Sequence, residues 1–344
     1  MTETLIDNSE TKKESSYSLD PVAEPVDPNR WLTDYTALFY NEFEDYWEPP
    51  ISRRGLAKIS RANAYHGSLL RARANYVTAR FIQGGGMRRR QFQGNCHDYF
   101  TFGDCAWLKV RNYFGKVIRL EQIPTMFLRK RKNGNFAFLQ RGNNDQIEQK
   151  TLKKEDVIFL PQYDPEQQIY GGADYVGSIQ SSLLNKEATL FRRKYYLNGA
   201  HMGFIFYATD PNLGEKDEKK LKEAIRSSKG VGNFQSMFVN IPNGAEKGIQ
   251  LIPVGDIATK DEFERIKNIT AQDILVGHRF PGGKGGMMPE PGATLPDPIK
   301  VGIEYAKDEI IPVCKLMMDE INSDPEIPKH LHFDFDLSTG QEVA

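Results

Sequence analysis

The chain has 344 residues, of which 45 are basic and 46 are acidic, so its net charge is −1. This balance argues against a protein held on nucleic acid mainly by its overall charge. No apolar run reaches the ~20 residues of a membrane-spanning helix, and Cys96, Cys105 and Cys314 have no paired spacing. We therefore expect a protein of a reducing compartment with roughly two domains' length of chain, no disulfide framework and no membrane partner.

The first part of the chain divides into a polar tail and an aromatic segment. Residues 1–29 are polar, acidic and proline-bearing. They have too little apolar surface to offset the entropy of ordering, so we predict a disordered tail. Residues 31–47 are rich in aromatic and acidic side chains. Two interpretations are open for this segment: an interaction surface, or a strand or short helix at the domain edge.

A helical pattern follows the break at Pro49-Pro50. It runs from Ser52 to Ile82 and ends at the three glycines 84–86. The basic run Arg88-Arg89-Arg90 comes next. It has two interpretations, contact with phosphate or a solvated or subunit-facing surface, and the second is the commoner role of such a run.

Two β-hairpins are predicted in the middle of the chain. The first has strands near residues 105–110 and 116–120, and the second covers residues 126–140. The turn of the second is Asn133-Gly134, the strongest short hairpin signal. Four basic residues precede that turn: Arg129, Lys130, Arg131 and Lys132. We expect this basic tip to project from the fold, and a further short strand to follow at residues 157–160.

The longest helical pattern occupies about residues 173–198. Apolar residues recur there at every seventh position: Val176, Leu183, Leu190 and Leu197. A second apolar stripe lies beside them: Leu184, Ala188, Phe191 and Tyr195. Arg192, Arg193 and Lys194 fall in the last turns, where positive charge suits the helix C-terminus. The two stripes predict a helix that packs on two sides.

Residues 200–336 are predicted to form a mixed α and β part. Strands are expected at 204–207, at 237–241 and 249–254 around an Asn243-Gly244 turn, and at 330–337. Helices are expected at 215–226, from a capping box at Thr259 and Glu262 to Gly277, and at 308–322 with an interruption near Pro312. The fold class is therefore α+β.

No motif indicates a reaction centre. Lys284 lies in a GGKGG loop, but the residue after it is Gly285, so the phosphate-loop pattern is absent and a flexible loop is the favoured interpretation. Cys96, His97 and Cys105 fit no zinc spacing and lack a fourth ligand. His330 and His332 would share one face of a strand, where two ligands alone make a weak site. We expect no enzymatic activity, no cofactor and no metal.

Several segments, in order along the chain, resemble the phage portal protein family of the PBSX type, the capsid portal vertex proteins of contractile-tailed phages. The resemblance covers roughly residues 30–336 and is carried by YWEPPISRRGLAKISRANAYHGS (46–68), FGDCAWL (102–108), QQIYGGADYVGS (167–178), LNKEATLFRRKYYLNGAHMGFIFYATD (184–210), SKGVGNFQSMFV (228–239), GIQLIPVGDIATKDEFERIKN (248–268) and HRFPGG (278–283). The chain departs from the family where FGDCAWL replaces FGNAYL and where glycines follow HRFP.

The resemblance implies a portal fold with wing, stem, clip and crown regions. It implies a homo-oligomeric ring, usually a dodecamer, at one capsid vertex of the virion, assembled in the host cytoplasm. Double-stranded DNA passes through such a ring during packaging and ejection. The implied protein partners are the terminase large subunit, head-completion or neck proteins, and the major capsid and scaffold proteins.

Within that resemblance, we expect a portal domain at residues 30–336 and a C-terminal tail at 337–344. The hairpins at about 105–160 would be clip-like, with Arg129, Lys130, Arg131 and Lys132 contacting terminase or connector proteins. The long helix suits a ring stem. Residues expected in its subunit packing are Val176, Leu183, Leu190, Leu197, Arg192 and Arg193. The alternative is a nucleic-acid-binding or nucleic-acid-processing protein without a ring, which would use Lys284 or Arg88–Arg90.

Overall fold

A computed structural model describes residues 38–141, 147–197, 204–208, 237–240, 249–253, 259–285 and 296–338. Within these ranges the α-helices are α1 (Arg53–Ala62), α2 (Ala64–Arg80), α3 (Arg89–Phe102), α4 (Ile179–Leu197), α5 (Thr259–Gly277), α6 (Pro298–Tyr305) and α7 (Ile311–Asn322). The first strands are β1 (Tyr40–Asn41), β2 (Tyr46–Trp47), β3 (Phe81–Gln83), β4 (Asp104–Arg111), β5 (Val117–Ile123), β6 (Leu128–Lys130) and β7 (Phe136–Arg141). The remaining strands are β8 (Ile147–Leu152), β9 (Val157–Pro161), β10 (Phe204–Ala208), β11 (Met237–Asn240), β12 (Ile249–Pro253) and β13 (Asp334–Phe335).

The predicted helical stretch from residue 52 to residue 82 is two helices that meet at Asn63. This residue has an extended backbone, and its side chain accepts a hydrogen bond from the His66 backbone N–H, so it ends α1 and caps α2. Ser52 caps the start of α1 in the same way through Gly55. The break lets α1 and α2 pack against each other at an angle, with α3 completing the helical layer.

An aromatic cluster joins this helical layer to the C-terminal end of the chain. Phe81 and Phe92 stack with ring centroids 4.1 Å apart, and both rings meet Phe333 and Phe335 edge to face. All four side chains are buried. Aromatic burial of this size, with offset and edge contacts, is a major source of core stability.

The sheet β5–β4–β9 is part of the core, with β4 paired antiparallel to both neighbours. Cys105, Ala106 and Trp107 are fully buried in succession, because helices cover one face of β4 and the second small sheet covers the other. The first of the hairpins expected to be clip-like is therefore packed into the core, and the clip assignment of residues 105–160 stays a prediction.

The second small sheet, β6–β7–β8, contains the predicted hairpin. The Asn133-Gly134 turn is confirmed: Gly134 has φ +84°, and its N–H bonds the Arg131 carbonyl at 3.1 Å. The third strand, β8, was not predicted from the sequence. Strands β1 and β2 form a two-residue ladder beside this sheet, which agrees with the domain-edge interpretation of the aromatic segment.

Helices α4 and α5 run antiparallel and pack along their length. Asn185 Nδ2 donates to Thr270 Oγ1 at 2.8 Å, and Ser181 Oγ donates to Asp273 Oδ2 at 2.9 Å. The α-helix begins after a 3-10 turn at Val176–Ser178, so Val176 is not part of α4. The helix predicted from the Thr259 capping box to Gly277 is confirmed as α5.

The strands between α4 and α5 are confirmed, but their pairing differs from the expectation. β10 lies in the centre, parallel to β11 and antiparallel to β12, so the two strands flanking Asn243-Gly244 do not pair with each other. A local turn signal could not reveal that an earlier strand separates them. The turn itself, at residues 241–248, lies outside the described residues.

The C-terminal helix is longer than predicted. It begins at Pro298 after an Asp297 cap, and a π-helical segment at Ala306–Ile310 precedes Pro312 in the first turn of α7. Pro312 has no N–H to donate, which explains the predicted interruption. The final strand is only β13, since His330 lies in a 3-10 turn, so His330 and His332 do not share a strand face.

Three predictions lie outside the described residues: the tail at 1–29, the charged helix at 215–226, and the C-terminal tail from residue 339 onward. Among the helices described above, none combines the length and apolar character needed to cross a membrane.

Two glycine-containing loops cross backbone to backbone beside the end of α3. Gly103 ends the helix in the left-handed conformation at φ +82°, and its carbonyl accepts the Gln162 N–H at 2.7 Å. A Cβ atom at Gly103 would lie 2.6 Å from the Ala173 backbone nitrogen. A Cβ atom at Gly171 would overlap the Gly103 carbonyl oxygen. Close approach and a positive φ therefore both require glycine at Gly103.

We predict that Gly103→Ala lowers the free energy of unfolding by at least about 1 kcal/mol, because alanine is strained at positive φ and has no room here. Gly177→Ala is the matched control: an added Cβ there meets nothing within 4 Å. It should leave stability unchanged or raise it by about 0.4–1 kcal/mol. Denaturant unfolding of both variants measures the difference, and equal stabilities would contradict the crossing.

Candidate assembly and docking surfaces

A buried ion-pair network lies where α2, the residue-170s loop and the end of α5 meet. Arg73 of α2 contacts Asp174 with both guanidinium nitrogens, at 2.9 and 2.5 Å. Arg279 Nη2 donates to Oδ2 of the same carboxylate at 2.7 Å. The Arg73 side chain is 3% exposed and also lies over the Phe100 ring at 4.3 Å, whereas Arg279 is 56% exposed. We call Arg73, Asp174 and Arg279 the charged hub.

The hub keeps Asp174 ionised. Burial alone would raise the pKa of this carboxyl, but hydrogen bonds and charge from Arg73, followed by Arg279, outweigh burial and lower the pKa. A carboxylate held by two guanidinium groups in this way fixes three chain segments relative to one another.

A buried histidine pair lies beside the hub. His66 Nδ1 and His278 Nε2 are 2.8 Å apart, and the Tyr175 ring packs against both imidazoles. Burial lowers the pKa of His66 to about 4 and lowers that of His278 as well. Both rings are therefore neutral at physiological pH, with one nitrogen donating and the other accepting. Sequence reasoning missed this pair, because 212 residues separate its members.

A second buried ion pair joins α1 to β4. Arg53 donates to both oxygens of Asp104 at 2.8 and 2.6 Å and to the Thr125 carbonyl at 2.5 Å. Burial raises the pKa of Asp104, and Arg53 opposes that effect. Asp104 stands in the FGDCAWL segment, so one of the segments that carry the resemblance supplies the partner of a buried arginine.

These contacts bring together four of the segments that carry the family resemblance, at residues 46–68, 102–108, 167–178 and 278–283. What they form is a packed, paired junction with no open cleft at the hub. Within the described ranges, no cluster of three or more His, Cys, Asp or Glu residues has the geometry of a metal site. Cys96 and Cys105 are fully buried, and burial raises the pKa of both thiols.

The other residues considered for contact with nucleic acid are Lys284 and Arg88–Arg90. Lys284 Nζ donates to the Tyr76 hydroxyl at 3.2 Å and lies 5.5 Å from that ring's centroid. Arg88 and Arg90 are exposed at the start of α3, and Arg89 donates to the Phe81 carbonyl at 2.8 Å. Lys284 therefore packs on the Tyr76 side chain.

The basic hairpin is not a freely projecting tip. Arg129 donates to the carbonyls of Met126 and Leu128, each at 2.9 Å, and burial followed by the Arg53 charge lowers its pKa. Burial also lowers the pKa of Lys130, whose ammonium lies 5.7 Å from the Phe159 ring centroid. These two residues belong to the packing of the small sheet, which sequence spacing alone could not show.

Residues 39–48, which we call the strap, contact the other two basic residues. Arg131 pairs with Asp45 at 3.1 Å, and Lys132 lies 3.9 Å from the Tyr40 ring centroid and 3.8 Å from Glu42. The strap in turn exposes Phe43, which is 97% accessible at the tip of its turn. The surface at this end of the molecule is therefore a mixture of an aromatic anchor and neutralised charge.

The residues expected in subunit packing occupy different environments. Val176 and Leu183 are half-buried against the chain's own core, and Leu190 is half-buried further along α4. Arg192 is half-buried and Arg193 is exposed. The side chain of Leu197 lies outside the described residues. Val176 and Leu183 therefore pack within the chain, whereas Leu190 lies on a flank of the helix.

The described residues form an α+β body, a helix pair and a junction of buried ion pairs. No family model matches the chain. It is 45% identical over 304 residues to the "Probable portal protein" of Haemophilus phage HP1 (strain HP1c1), covering 88% of each chain. It is 35% identical over 289 residues to the "Probable portal protein" of Escherichia phage P2, covering 84% of this chain and 83% of that one.

Two solved structures share the fold at low sequence identity. The neck of a native gene transfer agent particle, computed with C12 symmetry, matches with a TM-score of 0.59 and 13% identity, covering 84% of this chain and 85% of that one. An HK97 family phage portal protein from Corynebacterium diphtheriae matches with a TM-score of 0.54 and 15% identity, covering 83% and 96%. The chain belongs to the phage portal protein family. These relatives do not specify the PBSX type, which stays a prediction.

We predict that Arg73→Met lowers the free energy of unfolding by about 3 kcal/mol, because it removes the buried partner of Asp174. Arg279→Met is the matched control, since it removes a contact to the same carboxylate from an exposed position and should cost less than about 1 kcal/mol. Urea unfolding of the purified protein measures both. Equal losses would show that Asp174 does not depend on its buried partner.

Proposed function

We propose that this protein forms a homo-oligomeric ring, with no catalytic role, at the unique vertex of a phage capsid. The single observation that supports this most strongly is 45% identity over 88% of the chain to a protein named as a portal. The twelvefold symmetry of a structural neighbour favours a dodecamer. Such a ring would carry double-stranded DNA during packaging and ejection, in a virion assembled in the host cytoplasm.

The α4–α5 pair is our candidate for the stem of that ring. Its first half is anchored in the body, where Ile179, Ser182 and Asn185 are buried. None of the described α4 side chains after Asn185 is fully buried, as expected of a helix that leaves the body. The three-stranded sheet of β10, β11 and β12 lies between α4 and α5 in the chain. We infer that this sheet, rather than the hairpins at 105–160, forms the clip.

The partners proposed for the ring are the terminase large subunit during packaging, head-completion or neck proteins afterwards, and the major capsid and scaffold proteins. The strap and the basic hairpin supply one candidate docking surface for the motor or the neck. Phe43 is an exposed aromatic anchor, and Lys132 is the most exposed member of the four basic residues. Aromatic anchors with charged rims are typical of protein interfaces.

The proposal is tested by negative-stain electron microscopy of the purified full-length chain. We expect rings with a central hole and a mass several-fold above the 39.2 kDa of one chain. A monomer under all conditions, together with a steep salt dependence of DNA binding, would favour the alternative of a nucleic-acid-binding protein without a ring.

We predict that replacing Phe43 and Lys132 with alanine leaves rings intact and weakens terminase docking at least tenfold, because the anchor and its charged neighbour are lost. Phe114→Ala is the matched control, since Phe114 is a similarly exposed phenylalanine on another hairpin turn. Binding of rings to purified terminase by surface plasmon resonance measures the effect. Wild-type affinity in the double variant would remove the strap from the docking surface.

A further inference from the structure

The outward face of the α4–α5 pair carries apolar side chains that nothing in the described structure covers. Leu184 on α4 is 52% exposed, and Ile269 and Val276 on α5 are 48% and 76% exposed. Ile269 and Val276 are seven residues apart, so they lie on one side of α5. Soluble chains do expose single apolar residues, but a group shared by two adjacent helices indicates a contact surface.

The helix contacts show that these three residues share one surface. Asn185 of α4 faces Thr270 of α5, which sets the line of contact between the helices. On one side of that line lie the buried residues Ile179 and Ser182 of α4 and Ala271 and Leu275 of α5. At about 100° per residue, Leu184, Ile269 and Val276 lie on the opposite side of the line. We call these three residues the outward face.

A second apolar flank lies on the same helix pair. Leu190 projects from α4 about 140° round the helix from Asn185, and it continues the stripe on which Ile179 is buried and Leu183 packs against the chain's own core. Leu190 is half-buried and lies in the part of α4 where no described side chain is fully buried. One element thus presents two different apolar surfaces, the outward face and the Leu190 flank.

We propose that the outward face of one subunit packs against the Leu190 flank of a second copy of this chain. The inference rests on the proposed ring. A closed ring of identical subunits is built by a heterologous interface, in which one patch of each subunit meets a different patch of the next. The helix pair supplies both patches. The heptad spacing predicts that Leu190 packs between subunits. In the proposed interface it contacts Ile269 of the neighbouring subunit.

The chemistry of the two patches also favours a second copy of this chain as the partner. Both patches consist of aliphatic side chains, which gain free energy from mutual burial and offer little to a phosphate backbone. Ser181 and Asp273, which bond to each other on the outward face, leave a small polar site among the aliphatic groups. A polar site of this kind sets the register of a helical interface without providing its main stabilisation.

The first experiment compares Ile269→Lys with Ile118→Lys. Ile118 is 47% exposed on β5, so the two isoleucines are matched in exposure but only Ile269 lies on the outward face. We expect Ile269→Lys to abolish rings in light scattering and electron microscopy while its thermal unfolding stays within a few degrees of wild type. Ile118→Lys should assemble normally. Normal rings in Ile269→Lys, or equal loss in both variants, would overturn the inference and leave the ring itself intact.

The second experiment combines Ile269→Cys with Leu190→Cys and treats assembled rings with a short bis-maleimide. The three native cysteines are buried, so they do not compete. A ladder of linked chains on a denaturing gel is expected, with none when Ile118→Cys replaces Ile269→Cys. Cross-links confined to single chains would contradict the interface. The interface would also be contradicted if the thiol introduced at position 269 still reacted freely with a monofunctional maleimide in the ring. Absence of rings in the wild type would instead refute the proposed function.

Discussion

The rest of the structure depends on the buried contact between Arg73 and Asp174. Burying a guanidinium group to 3% exposure is costly unless a carboxylate meets it in bidentate geometry. That requirement brings the residue-170s loop onto α2. Once Asp174 is there, Arg279 can reach it from the end of α5, and Tyr175, the next residue, lies against the histidine pair. One ion pair thus fixes the base of both long helices.

The second buried pair, Arg53 with Asp104, applies the same constraint at the other end of the helical layer. The two pairs meet the loop at neighbouring points, because the Gly171 N–H lies 3.4 Å from an Asp104 oxygen. Two fixed points a few residues apart leave the loop almost no freedom, and its backbone must pass directly over Gly103. The two ion pairs determine where the Gly171 loop crosses Gly103 at the end of α3. Only glycine permits so close a crossing.

The sequence predicts those parts of this fold that depend on neighbouring residues. The Asn133-Gly134 hairpin, the helix that opens at Thr259 and the interruption at Pro312 are confirmed because turn, cap and proline chemistry act over a few residues. The order β11–β10–β12 and the pair His66–His278 could not be predicted, since they join residues far apart in the chain. The family resemblance identified segments that meet at the hub. The spacing of residues along the sequence could not show that the strap would contact Arg131 and Lys132.

Internal pairing also determines how this protein can recognise others. Arg53, Arg73 and Arg131 each have a carboxylate of the same chain as partner. Basic groups engaged in this way have little capacity left for tight phosphate contacts, which would slow a polyanion passing through a ring. The described surface also offers apolar groups, among them Phe43 on the strap and the outward face of the helix pair. Apolar contacts carry no charge that salt could screen, so an assembly that relies on them can hold together while a highly charged polymer and its counterions move past.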